Sequence, residues 1–434
     1  MTAALKLDEA ALEACLGEHL PSQRWFGASE VKGIERVEVL REELPALVQV
    51  IVRGDDGDRY QVVLGLREPN DVPDFFVGNS GAVLGALDCG TPYTAYDATV
   101  DPELSIALLQ LVLPGEDVAK SRPLGAEQSN TSLVFDERLV MKVFRRLPEG
   151  PNPDVEVARV LADHGFEHVI APVGEWRDGG GDYGVVNELL VGAFDGWHLA
   201  QTSLRDLYDR REAPDEAAGD FGFEAERLGK VIAELHVAMA EAFGTFDADV
   251  ESWIADMEAQ AARIEDLPAG VRDVYAAVRD VTPGPALRIH GDLHLGQTLR
   301  TDTGWFVLDF EGEPARPIEE RRRPSSPLRD VAGMLRSFHY ASQVVLREHG
   351  GADDPALVAL GEAWERHNAE RFLAGYEGYG DVDRVLPPAD VRHVVRRAFE
   401  LDKAVYEVGY ELGHRPDWVS IPRSAVARLL EELS

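Results

Sequence analysis

The sequence predicts an α+β protein with a small N-terminal cap, a strand-rich region and a mostly helical C-terminal region. Three observations indicate this division: strand patterns dominate up to residue 110, more strands with a single helix follow up to residue 196, and helical periodicity prevails afterwards. We therefore expect domains at 1–110, 111–196 and 197–434. A chain of 434 residues is long enough for two or three cores.

The N-terminal region contains apolar runs separated by turn residues. A short amphipathic helix near residues 10–16 precedes strands at 37–40, 46–52 and 60–66. The polar segment RGDDGD at 53–58 has the composition of a turn between the last two strands. These patterns predict a small α+β cap.

The second and third regions differ in periodicity. Residues 133–135 and 139–144 read as a hairpin, and a helix is expected over 154–164 because Pro153 suits its first turn. Beyond residue 197 the helical pattern is interrupted by short strand pairs. One of these is expected to join 287–289 to 298–300.

The net charge of the chain disfavours some classes of binding partner. The chain has 43 Lys and Arg against 78 Asp and Glu, which gives a formal charge of −35 at pH 7. Such a surface repels phosphate backbones and anionic lipids, so neither nucleic acid nor a membrane is expected as a partner. Two cysteines, Cys15 and Cys89, form no disulfide framework, and no signal peptide is recognisable. A cytoplasmic protein is therefore predicted.

The most specific motif is HGDLHLGQ at residues 290–297, with the aspartate of LDFE at 308–311 twelve residues after its end. An aspartate beside a strand, an amide five residues on and a second aspartate after the next strand are typical of phosphoryl transfer. One carboxylate can accept the proton of an attacking hydroxyl, and the other can hold Mg²⁺ together with the amide oxygen. Taken alone, His290, Asp292 and His294 would indicate a metal site or a simple turn before a catalytic site; the aspartate at 309, with Lys142 and Glu156 upstream, favours catalysis.

These residues resemble the catalytic and metal motifs of aminoglycoside phosphotransferase-like kinases. More closely, the chain resembles the bacterial maltokinase-like group, which includes maltose kinases and glucosamine kinases, over nearly its whole length. The segments that carry the resemblance are QRWF at 23–26, HGDLHLGQ at 290–297, DFEGEP at 309–314, RRRP at 321–324, RDVAGMLRSF at 329–338 and DKAVYE at 402–407. The resemblance implies a bilobal fold like that of eukaryotic protein kinases, with an N-terminal α+β cap.

The resemblance also implies roles for individual residues. Asp292 is implied to be the catalytic base, and Gln297 and Asp309 are implied to hold the metal. Gln297 departs from the asparagine that is usual in the wider superfamily, and its extra methylene moves the oxygen donor. ATP and Mg²⁺ are the implied cofactors.

The strand-rich region is expected to hold the nucleotide. Lys142 lies in mid-strand between apolar neighbours, where a buried ammonium requires a partner, and Glu156 in the next helix would supply it. The resemblance implies that Lys142 holds the ATP phosphates and that Glu156 orients it. The other residues expected at the nucleotide are Gln128, Ser129, Asn130, Thr131 and Ser132 in a phosphate loop, and Glu188 and Leu190 in a hinge.

The acceptor site is expected between the catalytic loop and the C-terminal helices. Tyr406 and Tyr410 lie one turn apart on a predicted helix, and aromatic faces and carboxylates are the groups that commonly hold sugars. The expected substrate residues are His294, Glu311, Tyr406, Glu407, Tyr410, Glu411 and Trp418. An ordinary amphipathic helix is the alternative for the helical ones, and Asp330 is expected to cap the helix that follows it.

The sequence therefore predicts an ATP- and Mg²⁺-dependent kinase that phosphorylates a sugar hydroxyl. An amino sugar is mostly cationic near neutral pH and suits an acidic chain, which favours glucosamine, giving glucosamine 6-phosphate, over maltose, giving maltose 1-phosphate. Three less favoured functions are an aminoglycoside phosphotransferase, a silent pseudokinase and a metal-dependent hydrolase. The partner expected is a small-molecule sugar, and the chain is expected to be monomeric.

Overall fold

In the computed structural model the chain forms two compact units. The first unit comprises residues 1–159 and 171–191, and the second comprises residues 160–170 and 192–434. The structure describes residues 5, 7–69, 71–124, 130–179, 181–217, 219–313 and 316–431. The division into domains at 1–110, 111–196 and 197–434 stays a prediction.

The first unit contains two antiparallel sheets. The strand order is β1-β2-β3-β5-β4 in one sheet, with β9 also paired to β3, and β10-β11-β8-β7-β6 in the other. Helix α3, Pro153–Asp163, begins in this unit and ends in the second. The remaining elements are α1 Glu9–His19, β1 Val31–Arg41, β2 Ala46–Gly54, β3 Arg59–Arg67, β4 Val83–Asp88, β5 Pro92–Asp97, α2 Pro102–Val112, β6 Ser121–Pro123, β7 Asn130–Phe135, β8 Leu139–Phe144, β9 Arg146–Leu147, β10 Gly174–Asp178 and β11 Gly181–Glu188.

Strands β2 and β3 lie at the centre of the first unit and are buried on both faces. One face packs against α1, where Leu12 and Leu16 are fully buried. The other face, which includes Val63, packs against Leu133 and Met141 of the second sheet. Burial on both faces explains why these strands are apolar almost throughout, without alternation; the buried Gln49 and Gln61 are exceptions, and Gln49 donates a hydrogen bond to Gln61.

The hairpin of β7 and β8 has a register that matters for the site. Ser132 pairs directly with Lys142, and Asn130 pairs with Phe144. The expectation that residues 130–132 belong to a loop is therefore wrong. Since successive side chains of a strand point to opposite faces, Asn130 and Ser132 share one face of β7 and Thr131 occupies the other.

The second unit is mostly helical. Helix α9, Leu328–Glu348, forms its centre, and most of its side chains are buried. The elements are β12 Phe194–Asp195, α4 Gly196–Arg210, α5 Gly222–Phe243, β13 Thr245–Phe246, α6 Val250–Ala261, α7 Gly270–Ala276, β14 Ala286–Leu287, β15 Thr298–Arg300, β16 Trp305–Val307, α8 Ile318–Arg321, α9 Leu328–Glu348, α10 Pro355–Glu377, α11 Arg392–His414 and α12 Ser420–Glu431.

Short strands position the motif at 290–297 in this unit. Strand β14 pairs with β13, whereas β15 pairs with β12 and β16. The predicted pairing of 287–289 with 298–300 is therefore wrong. The intervening residues form a loop in which Gly291 has a φ of +85° and Leu295–Gln297 form a single 3-10 turn.

Within the part of the chain that the structure describes, no helix combines the length and apolarity that a membrane crossing requires.

Candidate active site

The loop that contains Asp292 is anchored by a buried carboxylate. Asp330, in the first turn of α9, accepts hydrogen bonds from the backbone N–H groups of His290 and Gly291, both at 2.8 Å. Asp330 is 1% exposed. The expectation that Asp330 caps its own helix is therefore wrong, because its two oxygens accept from the loop before that helix.

Two further side chains form a hydrogen-bonded chain that ends at Asp330. His236 Nε2 lies 3.1 Å from Asp330 Oδ2, and His236 Nδ1 lies 2.7 Å from the hydroxyl of Tyr376. One tautomer satisfies both contacts, with Nε2–H donating to Asp330 and Nδ1 accepting from Tyr376. Burial acts to raise the pKa of Asp330, but the hydrogen bonds that it accepts from His236 and from the loop backbone outweigh burial and lower that pKa.

Asp292 faces a lysine that is distant in sequence. Lys403 Nζ, on α11, donates to Asp292 Oδ1 at 3.1 Å and to Glu313 Oε1 at 3.3 Å. The same ammonium lies 4.6 Å from the ring centroid of Tyr406. Burial acts to lower the pKa of Lys403, but the charges of Asp292 and Glu313 outweigh it and raise that pKa, so the group stays charged.

These residues line a pocket of mixed charge. Asp292, Glu313, Asp330 and Asp402 contribute four carboxylates, and the cations in its walls are Arg316, Arg329 and Lys403. The pocket is therefore much less acidic than the chain as a whole. The other lining residues are Gln260, Gly291, Leu293, Gly333, Phe399 and Tyr406.

Asp402, another carboxyl of this pocket, is held by Gln260. Gln260 Nε2 donates to the Asp402 backbone oxygen at 2.9 Å and to Asp402 Oδ1 at 2.7 Å. Burial raises the pKa of Asp402 to about 6, although Arg329 and Arg316 oppose that change.

We expect Asp402→Asn to change the pH dependence of stability. Because this carboxyl titrates near pH 6 when folded and near 3.8 when exposed, its contribution to stability is greatest below about pH 4 and declines as the pH rises towards 6. Asparagine does not ionise. The free energy of unfolding of the variant, relative to the wild type, should therefore rise by about 2 kcal/mol between pH 4 and pH 7. Urea denaturation over this range measures the difference, with the exposed Asp280→Asn as the control; a pH-independent difference would contradict the assignment.

The two residues implied to hold a metal lie together. Asp309 follows β16 with a φ of +62°, a left-handed conformation that is uncommon for aspartate and is often found at functional sites. Gln297 Nε2 donates to Asp309 Oδ2 at 3.3 Å. Rotation of the amide by half a turn would present Gln297 Oε1 beside the carboxylate instead. A carboxylate and an amide oxygen are ligands that Mg²⁺ accepts, so this pair fits the metal.

The first unit contains the lysine expected at the nucleotide. Lys142 Nζ donates to Asp154 Oδ2 at 3.1 Å, and both side chains are mostly buried. Asp154 is the second residue of α3, two positions before Glu156. The sequence indicates an acidic partner on this helix but does not single out Asp154. The role of Glu156 in orienting Lys142 stays a prediction.

The other expected nucleotide residues that the structure describes also lie in the first unit. Thr131 Oγ1 accepts from Arg145 Nε at 2.9 Å, on the face of β7 opposite that of Asn130 and Ser132. Glu188 ends β11, and Leu190 follows two residues later. Gln128 and Ser129 lie outside the described residues.

Two of the expected substrate residues line cavities at this site. Tyr406 forms part of the Asp292 pocket, and Tyr410 lines a neighbouring groove. His294 lies in the catalytic loop, where its Nδ1 accepts from the backbone N–H of Gly296 at 3.1 Å and burial lowers its pKa. Glu311 follows β16 two residues after Asp309.

The remaining three expected substrate residues contact other side chains and do not line the Asp292 pocket. Glu407 accepts from Arg336 at 2.6 Å, Glu411 accepts from Tyr340 and Arg415, and Trp418 packs against Arg347 and Arg415. Burial explains the contacts of the two glutamates. Glu411 is almost completely buried and Glu407 is mostly buried, so each requires a close donor within the protein.

Sequence reasoning missed several residues that the fold brings to Asp292. Lys403, Asp402 and Glu313 belong to the segments that carry the family resemblance, but the sequence alone assigns no role to them. The usable signal is spacing: Lys403 and Tyr406 are three residues apart and therefore share a helix face with the predicted Tyr410.

Two family models match the chain. A model described as the maltokinase N-terminal cap domain matches residues 19–101. A second model, described as the phosphotransferase enzyme family, matches residues 120–376, which include the Asp292 loop and Asp309.

Two curated relatives and two solved structures are similar to the chain. A glucosamine kinase of Mycolicibacterium smegmatis is 31% identical over 72% of this chain and 80% of its own length, and one of Streptacidiphilus jiangxiensis is 30% identical over 73% and 74%. A glucosamine kinase structure in complex with glucosamine, ADP and inorganic phosphate has a TM-score of 0.70 at 23% identity, covering 98% of this chain and all of the other. Another glucosamine kinase structure, described as crystal form B, has a TM-score of 0.71 at 24% identity and covers 98% of this chain and 99% of the other. These matches confirm the predicted fold class.

Proposed function

Because the chain belongs to the phosphotransferase enzyme family, we propose that it is an ATP-dependent sugar kinase that phosphorylates glucosamine. The observation that carries the proposal is the match to two curated glucosamine kinases over about three quarters of the chain. Glucosamine, the amino sugar that the sequence favours, is the substrate in the names of both relatives. Its product would be glucosamine 6-phosphate.

The proposed mechanism assigns the proton transfer to Asp292. The acceptor hydroxyl lies against the free oxygen of Asp292, which orients it and receives its proton as the new oxygen–phosphorus bond forms. Lys403 holds the other oxygen of Asp292 at 3.1 Å and so fixes the direction of the carboxylate. Asp330 holds the backbone N–H groups of His290 and Gly291, which restricts the movement of the loop.

The nucleotide and metal requirements belong to the same proposal. In the first unit, Lys142 would contact the ATP phosphates, and its contact with Asp154 supports an oriented ammonium. In the second unit, Asp309 and Gln297 would hold Mg²⁺, which neutralises phosphate charge when bound. Both cysteines are free thiols, which supports the proposed cytoplasmic location.

The substrate argument rests on the relatives and not on the charge of the pocket. Four carboxylates face three cations around Asp292, so the strongly acidic chain does not produce a strongly acidic pocket. The electrostatic preference for an amino sugar over maltose is correspondingly small. Maltose is retained as the second candidate because residues 19–101 match a maltokinase cap domain.

We expect glucosamine to be the preferred acceptor in a direct comparison. Consumption of Mg-ATP by the purified chain should be measured with glucosamine, maltose, glucose and kanamycin, and kcat/KM for glucosamine should exceed each other value by about tenfold or more. EDTA should abolish turnover, and excess Mg²⁺ should restore it.

The same measurement separates the competing functions. Preferred turnover of maltose or kanamycin would replace glucosamine as the substrate and leave the kinase assignment in place. Binding of ATP without turnover of any of the four acceptors would contradict the proposal and favour a silent binding protein. Omission of the acceptor controls for ATP hydrolysis by water.

A further inference from the structure

Asn187 on β11 has a buried acceptor atom without a partner. Its Oδ1 is shielded from solvent and forms no hydrogen bond with any residue that the structure describes. Two other side chains of the first unit, Gln49 and Arg145, also leave one buried atom unpaired, but they are only 0% and 1% exposed. Asn187 is partly exposed, so a ligand can reach it. Because buried polar atoms are nearly always paired in proteins, a ligand with a donor would complete this group.

The register of the second sheet places Asn187 on the same face as Lys142. Asn187 pairs directly with Val140, and Val185 pairs with Lys142. Residues that pair directly, or that lie two apart on one strand, have side chains on the same face of a sheet. The unpaired oxygen of Asn187 therefore belongs to the face that carries the lysine proposed to contact the ATP phosphates.

One part of this face is covered by α3 and another part is open. Val140, Lys142 and Asn187 are only partly buried. The open part thus combines an apolar side chain, an ammonium group and an amide. The covered part belongs to a cluster of buried side chains that includes Phe144, Val155, Tyr183 and Val185.

The three open groups match the parts of a purine nucleoside triphosphate. Val140 precedes Lys142 by two residues, about 7 Å along β8, and offers an apolar surface to a flat base. Asn187 lies directly opposite Val140, at the edge of a base in that position. The expected hinge residues Glu188 and Leu190 follow Asn187 in the chain, so the same edge of the base would face them.

The group at position 6 of the base decides which purine fits. Adenine has an amino group there with two N–H donors, whereas guanine has a carbonyl oxygen. One N–H of adenine can donate to a backbone oxygen of the hinge, and the second can donate to Asn187 Oδ1. A carbonyl oxygen at that position would lie against another acceptor and leave both without a donor.

We propose that Asn187 determines the base specificity of the chain, because its Oδ1 accepts a hydrogen bond from the 6-amino group of adenine. The inference rests on the proposed function, which requires ATP. Asn187 contacts the base and takes no part in phosphoryl transfer. Its contribution is therefore measured as nucleotide affinity.

The test compares ATP with purine riboside triphosphate, which carries hydrogen in place of the 6-amino group. Calorimetric titration in the presence of Mg²⁺ gives both dissociation constants without an acceptor sugar. The wild type should bind ATP at least about tenfold more tightly than the analogue, because a site that pairs with a donor rejects a ligand that lacks it. Equal affinities would overturn the proposal.

Two substitutions at Asn187 locate the effect. Asn187→Leu replaces the amide with methyl groups, so the preference for ATP over the analogue should fall at least about fivefold. Asn187→Asp keeps an acceptor oxygen and should retain the preference within about twofold. The preference is a ratio of two constants for one variant, so a loss of folded protein does not change it.

The control and the remaining outcomes separate this inference from the proposed function. Asn79→Leu, at an exposed position between β3 and β4 of the other sheet, makes the same substitution and should leave the preference unchanged. An undiminished preference in Asn187→Leu would overturn the role of Asn187 and assign the amine to the hinge alone. Failure of the wild type to bind either nucleotide would overturn both proposals. Selective binding of ATP without turnover of any sugar contradicts the proposed function alone.

Discussion

Asp292→Asn should reduce kcat by about 10²–10⁴-fold, the usual contribution of a positioned general base. Asparagine cannot receive the hydroxyl proton, but its amide oxygen can still accept the hydrogen bond that Lys403 donates at 3.1 Å. The loop is held through backbone groups by Asp330, and the substitution does not touch those contacts. We therefore expect folding and nucleotide affinity to be retained.

Single-turnover kinetics with glucosamine and calorimetric titration with ATP measure the two quantities separately. The exposed Asp302→Asn is the matched control, because it removes the same charge from the turn between β15 and β16. Unimpaired turnover in Asp292→Asn would exclude this residue as the base. A parallel loss of ATP affinity and turnover would indicate that Asp292 acts in nucleotide binding instead.

Much of the fold follows from apolar periodicity. The hairpin of β7 and β8 and the helix after Pro153 lie within one or two residues of the predicted bounds, except that β7 begins at Asn130 and not at 133. Residues 130–132 have the composition of a loop, and they form a strand because they pair with β8. The pairing of β14 with β13 is a long-range contact, and local pattern gives no signal for it.

The sequence predicts the part of the candidate site whose residues lie close together in the chain. Asp292, Gln297 and Asp309 all lie within twenty residues, and the fold brings the last two to 3.3 Å. Lys403 lies more than a hundred residues away, so its contact with Asp292 depends on how α11 packs in the second unit. Glu407 and Glu411 looked suitable for a sugar because their sequence gives no measure of their burial or of their contacts with Arg336 and Tyr340.

Asp330→Asn should destabilise the second unit by about 3–5 kcal/mol, the usual effect of breaking a buried charged contact. Asp330 accepts from two backbone N–H groups and from His236, whereas asparagine has only one side-chain oxygen. In either orientation of the asparagine amide, its NH₂ group would face at least one of the three N–H groups that now donate to Asp330. The His290–Gly291 backbone would then lose one of its two anchors, so kcat should also fall with little change in KM for ATP.

The pH dependence identifies the carboxylate as the source of this effect. The pKa of Asp330 is lowered from 3.8 in the folded protein, so its stabilising contribution is fully present above about pH 4 and is lost as the pH falls through the folded value. The difference in the free energy of unfolding between Asp330→Asn and the wild type should therefore be constant from pH 5 to pH 8 and shrink below about pH 4. Urea denaturation followed by tryptophan fluorescence measures it, with the exposed Glu348→Gln at the other end of α9 as the control. A difference that persists undiminished at low pH would show that packing, and not the charge of Asp330, holds the loop.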